Sequence, residues 1–240
     1  MKILLVMKFW WDGQENSTRL RNVSFSWIQL KKLASFLKNN NVECDAKLYD
    51  FSPDKMVEDA CHIPYGLGEY KKSEKTNKIL LENKEYDFVF MFDCDAFFSP
   101  DDYDKVLNTI KQLNKGDMVT FDLAKLVDKD VQEIVSNDGV VDKVNTEWSY
   151  AYSGAKKNGP LNGYMGSLGG VYLCDIELIM KSGGFDESYV GWGGEDGRMV
   201  EKIVQSNLPY KHISTKDYAP FHLPHFSDIG NEKYYKRFND

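Results

Sequence analysis

The sequence predicts an α/β protein with a mostly parallel central sheet flanked by helices, in a single domain. Three observations predict it. Short apolar runs alternate with helix-spaced amphipathic segments through the first 120 residues, the pattern of strands joined by crossover helices. One run, "DFVFMF" from Asp87 to Phe92, is the most apolar stretch of the chain, as a central strand covered on both faces must be. No linker, internal repeat or low-complexity tract divides the 240 residues, a length that builds one substantial core.

In chain order, "KILLVM" (Lys2 to Met7) reads as a buried parallel strand. After a polar loop with Gly13, the apolar positions Trp27, Leu30, Ala34 and Leu37 recur at helical spacing, and Asn39 to Asn41 end that helix. "CDAKLYDF" reads as a second strand and "KKSEKTNKILLENKEY" as an amphipathic helix leading into the central strand. "SPDDYDKVLNTIKQL" opens a helix, with Ser99 as N-cap and Pro100 at the first helical position. "MVTF" is a further short strand. Beyond Phe121 the pattern weakens, and "GAKKNGPLNGYMGSLGG" reads as loop. "VYLC" is a strand, and "DIELIMKSGG" a short helix capped by Asp175 and closed by Gly183. A glycine-rich loop, another helix, an edge strand "YKHIS" and a polar, aromatic tail complete the chain.

Composition narrows the function. The net charge of -7 argues against nucleic acid as a partner, because phosphate backbones are bound by basic surfaces. Cys44, Cys61, Cys94 and Cys174 lie far apart with no CxxC, as reduced thiols of a cytoplasmic protein would. No apolar run approaches the roughly 18 residues that span a bilayer, so no transmembrane segment is expected. The start has neither the length nor the small-residue cleavage site of a signal peptide.

Three constellations carry chemistry. In "FMFDCDAFF", Asp93 and Asp95 flank Cys94 at the carboxyl end of the most buried strand, where ligands of open α/β sheets bind. Two such close carboxylates repel each other, and a divalent cation such as Mg2+ or Mn2+ removes the repulsion and bridges to phosphates. The plain alternative is a solvated strand end. In "GGFDESYVGWGGED", glycines suit a hinged loop, Trp192 offers a flat face, and Glu195 and Asp196 begin a helix whose dipole favours acids. The alternative is an ordinary first turn, but the run is longer than a cap needs. In "PFHLPHF", His222 and His225 are two of only four histidines, and imidazole favours Mn2+ or Zn2+ over Ca2+. They are equally readable as surface loop residues. His62 and His212 look structural.

"GYMGSLGGVYLCDIELIMKSGGFDESYVGWGGEDGRMVEKI" resembles the carboxy-terminal half of the β-1,4-galactosyltransferase type of GT-A glycosyltransferase, with "FMFDCDAFF" similar to its DxD motif and "HLPHF" to its histidine motif. Polypeptide N-acetylgalactosaminyltransferases and chondroitin-type polymerases share a related loop. The strong match covers about Gly163 to Ile203 and Phe88 to Asp95. The resemblance implies a GT-A fold, a UDP-sugar donor, a glycan or other hydroxyl-bearing acceptor, and Mn2+ or Mg2+ on the diphosphate. It implies that Asp95 binds the metal, with His222 or His225, and that Asp93 contacts the donor or the metal. Trp192, Gly193 and Gly170 would line the donor, and Tyr164 and Trp192 the acceptor. Glu195 would hold the sugars, and Asp196 would be the base of an inverting displacement. Residues 1–120 would form the nucleotide-sugar half and residues 121–240 the acceptor-binding and catalytic half.

Three departures accompany it. Gly197 stands where the family often has a further acid, the histidine motif is HxxH where HxH is common, and the usual Asn-Arg after the first strand is missing, leaving Arg19 and Arg21 as substitutes. "DCD" after an apolar strand also resembles the nucleophile motif of haloacid-dehalogenase phosphatases, although there it sits on the first strand. A non-catalytic nucleotide-sugar or glycan-binding module is a third reading, one that has no need of Asp196 beside a metal site.

Overall fold

In the computed structural model, the described residues are 1–10, 17–64, 71–121, 123–126, 139–140, 146–148, 170–189, 194–215 and 218–223. The strands are β1 (Lys2–Phe9), β2 (Glu43–Asp50), β3 (Cys61–His62), β4 (Phe88–Asp93), β5 (Ala96–Phe97), β6 (Asp117–Phe121), β7 (Ala124–Leu126), β8 (Thr146–Trp148), β9 (Val171–Asp175), β10 (Lys211–Thr215) and β11 (Phe221–His222). The helices are α1 (Ser17–Asn39), α2 (Lys72–Glu82), α3 (Tyr103–Lys111), α4 (Ile176–Lys181) and α5 (Glu195–Gln205), with a 3-10 turn at Pro100–Asp102.

Seven strands form the main sheet in the order β10-β6-β9-β4-β1-β2-β3. The pairs β10–β6, β4–β1, β1–β2 and β2–β3 are parallel. Only β9 runs against its neighbours β4 and β6. The expected mostly parallel sheet is therefore present, with "DFVFMF" at its centre and "YKHIS" at its edge.

Side chains alternate between the two faces of a strand, and here each face has its own core. Ile3, Leu5, Met7, Phe88, Phe90 and Phe92 pack with α1 and α3 on one side. Leu4, Val6, Val89, Met91, Tyr172 and Cys174 pack with α2, α4 and α5 on the other. Burying each such large apolar side chain contributes about 1.5–3 kcal/mol. Continuing the alternation, Lys8 and Asp93 belong to the α2–α5 face, and they are partners in the β1–β4 register.

Local signals end the elements where expected. Asn41 turns with φ 63 after α1. Ser99 accepts from the Asp101 N–H, and Asp175 from that of Leu178 at 3.1 Å. Gly183, with φ 98, follows α4.

A second sheet, β5-β11-β7-β8, lies beyond the carboxyl end of β4. It has a small core of Phe97, Ala124, Leu126, Ala219, Phe221 and Leu223. Nothing in the sequence pattern announces it, because its strands are two or three residues long. One consequence corrects the loop reading of "PFHLPHF": His222 lies in β11, opposite Ala96 of β5.

Among the described residues no helix is long and apolar enough to cross a membrane. All four cysteines are free, three of them buried and Cys61 exposed. His62 bonds the Ser52 carbonyl at 2.9 Å and His212 the Thr120 hydroxyl at 2.8 Å, both structural as expected.

Candidate active site

Asp93 ends β4, where its N–H donates to the Gly170 carbonyl at 2.8 Å. Gly170 thus lies beside the DxD turn. Asp95 is buried, and its carbonyl accepts from the Leu223 N–H at 2.8 Å. That bond, with the β5–β11 pairing, brings His222 Nε2 to 3.4 Å from Asp95 Oδ1. The pair offers one carboxylate oxygen and one imidazole nitrogen, a donor set that suits Mn2+. Among the described residues no group of three or more His, Cys, Asp or Glu side chains is placed to hold a metal ion. His225 lies outside the described residues, so Asp95 and His222 fit as part of such a site.

Glu195 and Asp196 form the first turn of α5 behind Gly194, whose φ is 82. They are 3% and 6% exposed. The helix dipole favours acids here, but dipole alone does not offset burying two charges. Lys72, the first residue of α2, completes the balance: its Nζ is 2.5 Å from Glu195 Oε1 and 3.4 Å from Asp196 Oδ2. Burial would raise the Glu195 pKa, but the charge and hydrogen bond of Lys72 hold it down at about 2. Asp196 is raised, because burial outweighs the opposing pull of Lys72 and is reinforced by the Glu195 charge. Asp93 is pushed up to about 8 by burial, against Lys72, with Asp95 and Asp196 adding repulsion.

A second buried lysine lies on this floor. Burial and the Lys72 charge lower Lys8 to about 8, against the attraction of Asp196, Asp93 and Glu195. Three buried oxygens, Tyr172 Oη, Glu195 Oε2 and Asp196 Oδ1, have no hydrogen-bond partner among the described residues. A buried polar atom left unpaired costs about 1–3 kcal/mol. Grouped on one face at the carboxyl end of a sheet, such atoms mark a place for a ligand that both donates and accepts, as a polyol does.

The structure thus joins Asp93 to Gly170, Asp95 to His222, and Glu195 to Asp196. Trp192, Gly193, Tyr164 and His225 lie outside the described residues. Of the two arginines considered, Arg19 reaches the DxD turn: it donates to the Cys94 side chain, whose pKa burial and Asp95 push up to about 12. Arg21 is exposed.

Lys8, Lys72 and Tyr172 were not singled out from the sequence. Two signals were present. Lys72 shares the spacing of Thr76 and Leu80, one buried helix face, and Lys8 interrupts the buried apolar run from Ile3 to Phe9.

Residues 151–225 match a family model described as the N-terminal domain of galactosyltransferase. No curated protein matches the chain. The crystal structure of GalNAc-T7 with UDP, GalNAc and Mn2+ is 15% identical with TM-score 0.57, covering 94% of this chain and 44% of that one. The mannosyltransferase PcManGT from Pyrobaculum calidifontis, in complex with GDP-Man and Mn2+, is 14% identical with TM-score 0.57, covering 95% and 58%. A mutant Drosophila β-1,4-galactosyltransferase 7, in complex with manganese, UDP-Gal and xylobiose, is 15% identical with TM-score 0.48, covering 100% and 75%. At these identities the likeness to the first two is one of fold. The chain has the GT-A fold, and it resembles the galactosyltransferase group through the matched region.

Proposed function

We propose that this chain is a metal-dependent inverting glycosyltransferase that moves a hexose or N-acetylhexosamine from a UDP-sugar to a hydroxyl of a glycan or related acceptor. The observation that carries the reading is the meeting of two half-sites at the carboxyl end of β4. Asp95 pairs with His222, Lys72 grips Glu195 and Asp196, and Asp93 feels the charges of both Asp95 and Asp196. The galactosyltransferase match over residues 151–225 and the GT-A fold support it.

Asp95 and His222, with Asp93 or His225, would hold Mn2+, which when bound neutralises the charge of the donor diphosphate. Glu195 presents Oε2 to sugar hydroxyls while Lys72 fixes its other oxygen. Asp196 presents Oδ1, and its raised pKa makes it a better base than a solvent-exposed carboxylate. In one displacement the acceptor oxygen forms the new bond to the anomeric carbon, its proton passes to Asp196, and the carbon–oxygen bond to the diphosphate breaks. The anomeric centre inverts. Trp192, Gly193 and Gly170 would line the donor, and Tyr164 and Trp192 the acceptor. The nucleotide-sugar half is residues 1–120 and the acceptor and catalytic half residues 121–240.

The test has two arms. UDP titrated by calorimetry binds in Mn2+ and weakens in EDTA, and Asp95→Ala reproduces the EDTA result. Equal affinity in both conditions removes the metal-bridged site. Asp196→Asn keeps donor affinity and lowers turnover by roughly 10²–10⁴-fold, and NMR shows a β-linked product from an α-linked donor. A retained linkage or near-normal turnover places the base elsewhere.

A further inference from the structure

We propose that Lys8 is an anion-binding residue of the donor site, its ammonium taking an anionic oxygen of the nucleotide sugar, either from the diphosphate or from a carboxylate on the sugar. This rests on the glycosyltransferase reading above. Lys8 is 5% exposed, and a lysine is almost never this buried unless paired. Its ammonium has three donors. Among the described residues one of them is used, on Thr76 Oγ1 at 3.2 Å. That hydroxyl spends its own proton on the Lys72 carbonyl at 2.8 Å, so its lone pair is directed to Lys8. The Phe185 ring closes another side, its centroid 5.8 Å from Nζ.

Among the described residues no carboxylate is hydrogen-bonded to the Lys8 ammonium. Asp93, Glu195 and Asp196 attract Lys8, but the hydrogen bonds of the last two go to Lys72. Nor does packing need an ammonium here. Lys8 follows Leu4 and Val6 on one face of β1, where an apolar side chain would continue the core. Lys8 also stands opposite Asp93 in register, at the carboxyl end of its strand, where ligands of such sheets bind. The unpartnered Tyr172 Oη, Glu195 Oε2 and Asp196 Oδ1 share that floor.

The experiment compares the full chain with Lys8→Met. Calorimetry in saturating Mn2+ measures UDP, UDP-glucose and UDP-glucuronate, and melting is followed without ligand. Lys8→Met is expected to lose roughly 10- to 100-fold in affinity, the weight of a hydrogen bond to a charged group. Loss for all three ligands assigns the oxygen to the diphosphate. Loss for UDP-glucuronate alone assigns it to the sugar carboxylate. Lys8→Gln, which keeps a donor and drops the charge, serves the same comparison if the Met variant does not fold. Wild-type affinity for all three ligands in a folded variant overturns the proposal and leaves the glycosyltransferase reading standing. A wild-type chain that binds none of them in Mn2+ removes both.

Discussion

At Lys72, a single ammonium serves two acids that are adjacent in sequence, and all three groups are nearly inaccessible to water. Breaking such a buried pair by removing one partner costs about 3–5 kcal/mol, because charge is left behind without compensation. Lys72→Met is expected to lose that much at pH 8 by urea denaturation, and less at pH 5, where the freed carboxylates take up protons. The sign follows from Glu195. Its folded pKa, held at about 2, lies below the ordinary value, so its contribution is complete above the ordinary carboxylate range and is lost as pH falls toward 2. The same variant should move the acid limb of kcat/KM to higher pH, since Lys72 is what opposes the upward shift of Asp196. An unmoved limb would separate Asp196 from the rate. At this scale the acids were legible in the sequence because glycines and a tryptophan advertised them. Their lysine was not, because it lies more than a hundred residues away and looks like one more surface charge at the start of a lysine-rich helix.

The element that organises this neighbourhood is α2. One turn beyond Lys72, Thr76 meets Lys8; at the next position, the Asn77 side chain brackets Phe185, donating to its carbonyl at 2.9 Å and accepting from its N–H at 2.8 Å. Asn77 also donates to Glu187 at 2.8 Å. So α2 fastens both flanks of the glycine loop, Phe185 to Glu187 before it and Glu195 to Asp196 after it. Asn77→Ala strands two buried backbone groups of Phe185, each worth about 1–3 kcal/mol. Hydrogen exchange should show protection lost at Phe185 while β1 and β4 keep theirs, and unchanged protection at Phe185 would refute the clamp. Gly184 is bound into the same arrangement: its φ is 63 and a Cβ there would stand 2.8 Å from Asn77 Oδ1. The helical period of α2 was readable. Its function was not, because its buried face is built from Lys72, Ser73, Thr76 and Asn77 as much as from Ile79 and Leu80, and polar residues are normally assigned to solvent.

For the molecule as a whole, the strands and helices of the main sheet follow from periodicity, caps and glycines, and the structure places them in the expected layers. The direction of β9 does not follow. The apolar run of this short strand reads the same forwards and backwards, and its reversal is set by pairing with β4 and β6. That reversal has a consequence for the stretch between β6 and β9. It leaves β6 after Phe121 and enters β9 at Gly170, and both points lie at the edge of the sheet that carries Asp93. A segment that starts and finishes at one edge can be lengthened, shortened or exchanged without rethreading the sheet. Replacing residues 127–169 with the matching stretch of a related transferase is expected to leave UDP affinity within a few-fold while changing which acceptor is glycosylated, and a chimera that loses UDP affinity would show the two to be inseparable. In lineages descended from this chain, new acceptors would then arise by recombination within one cassette, with the donor machinery inherited intact.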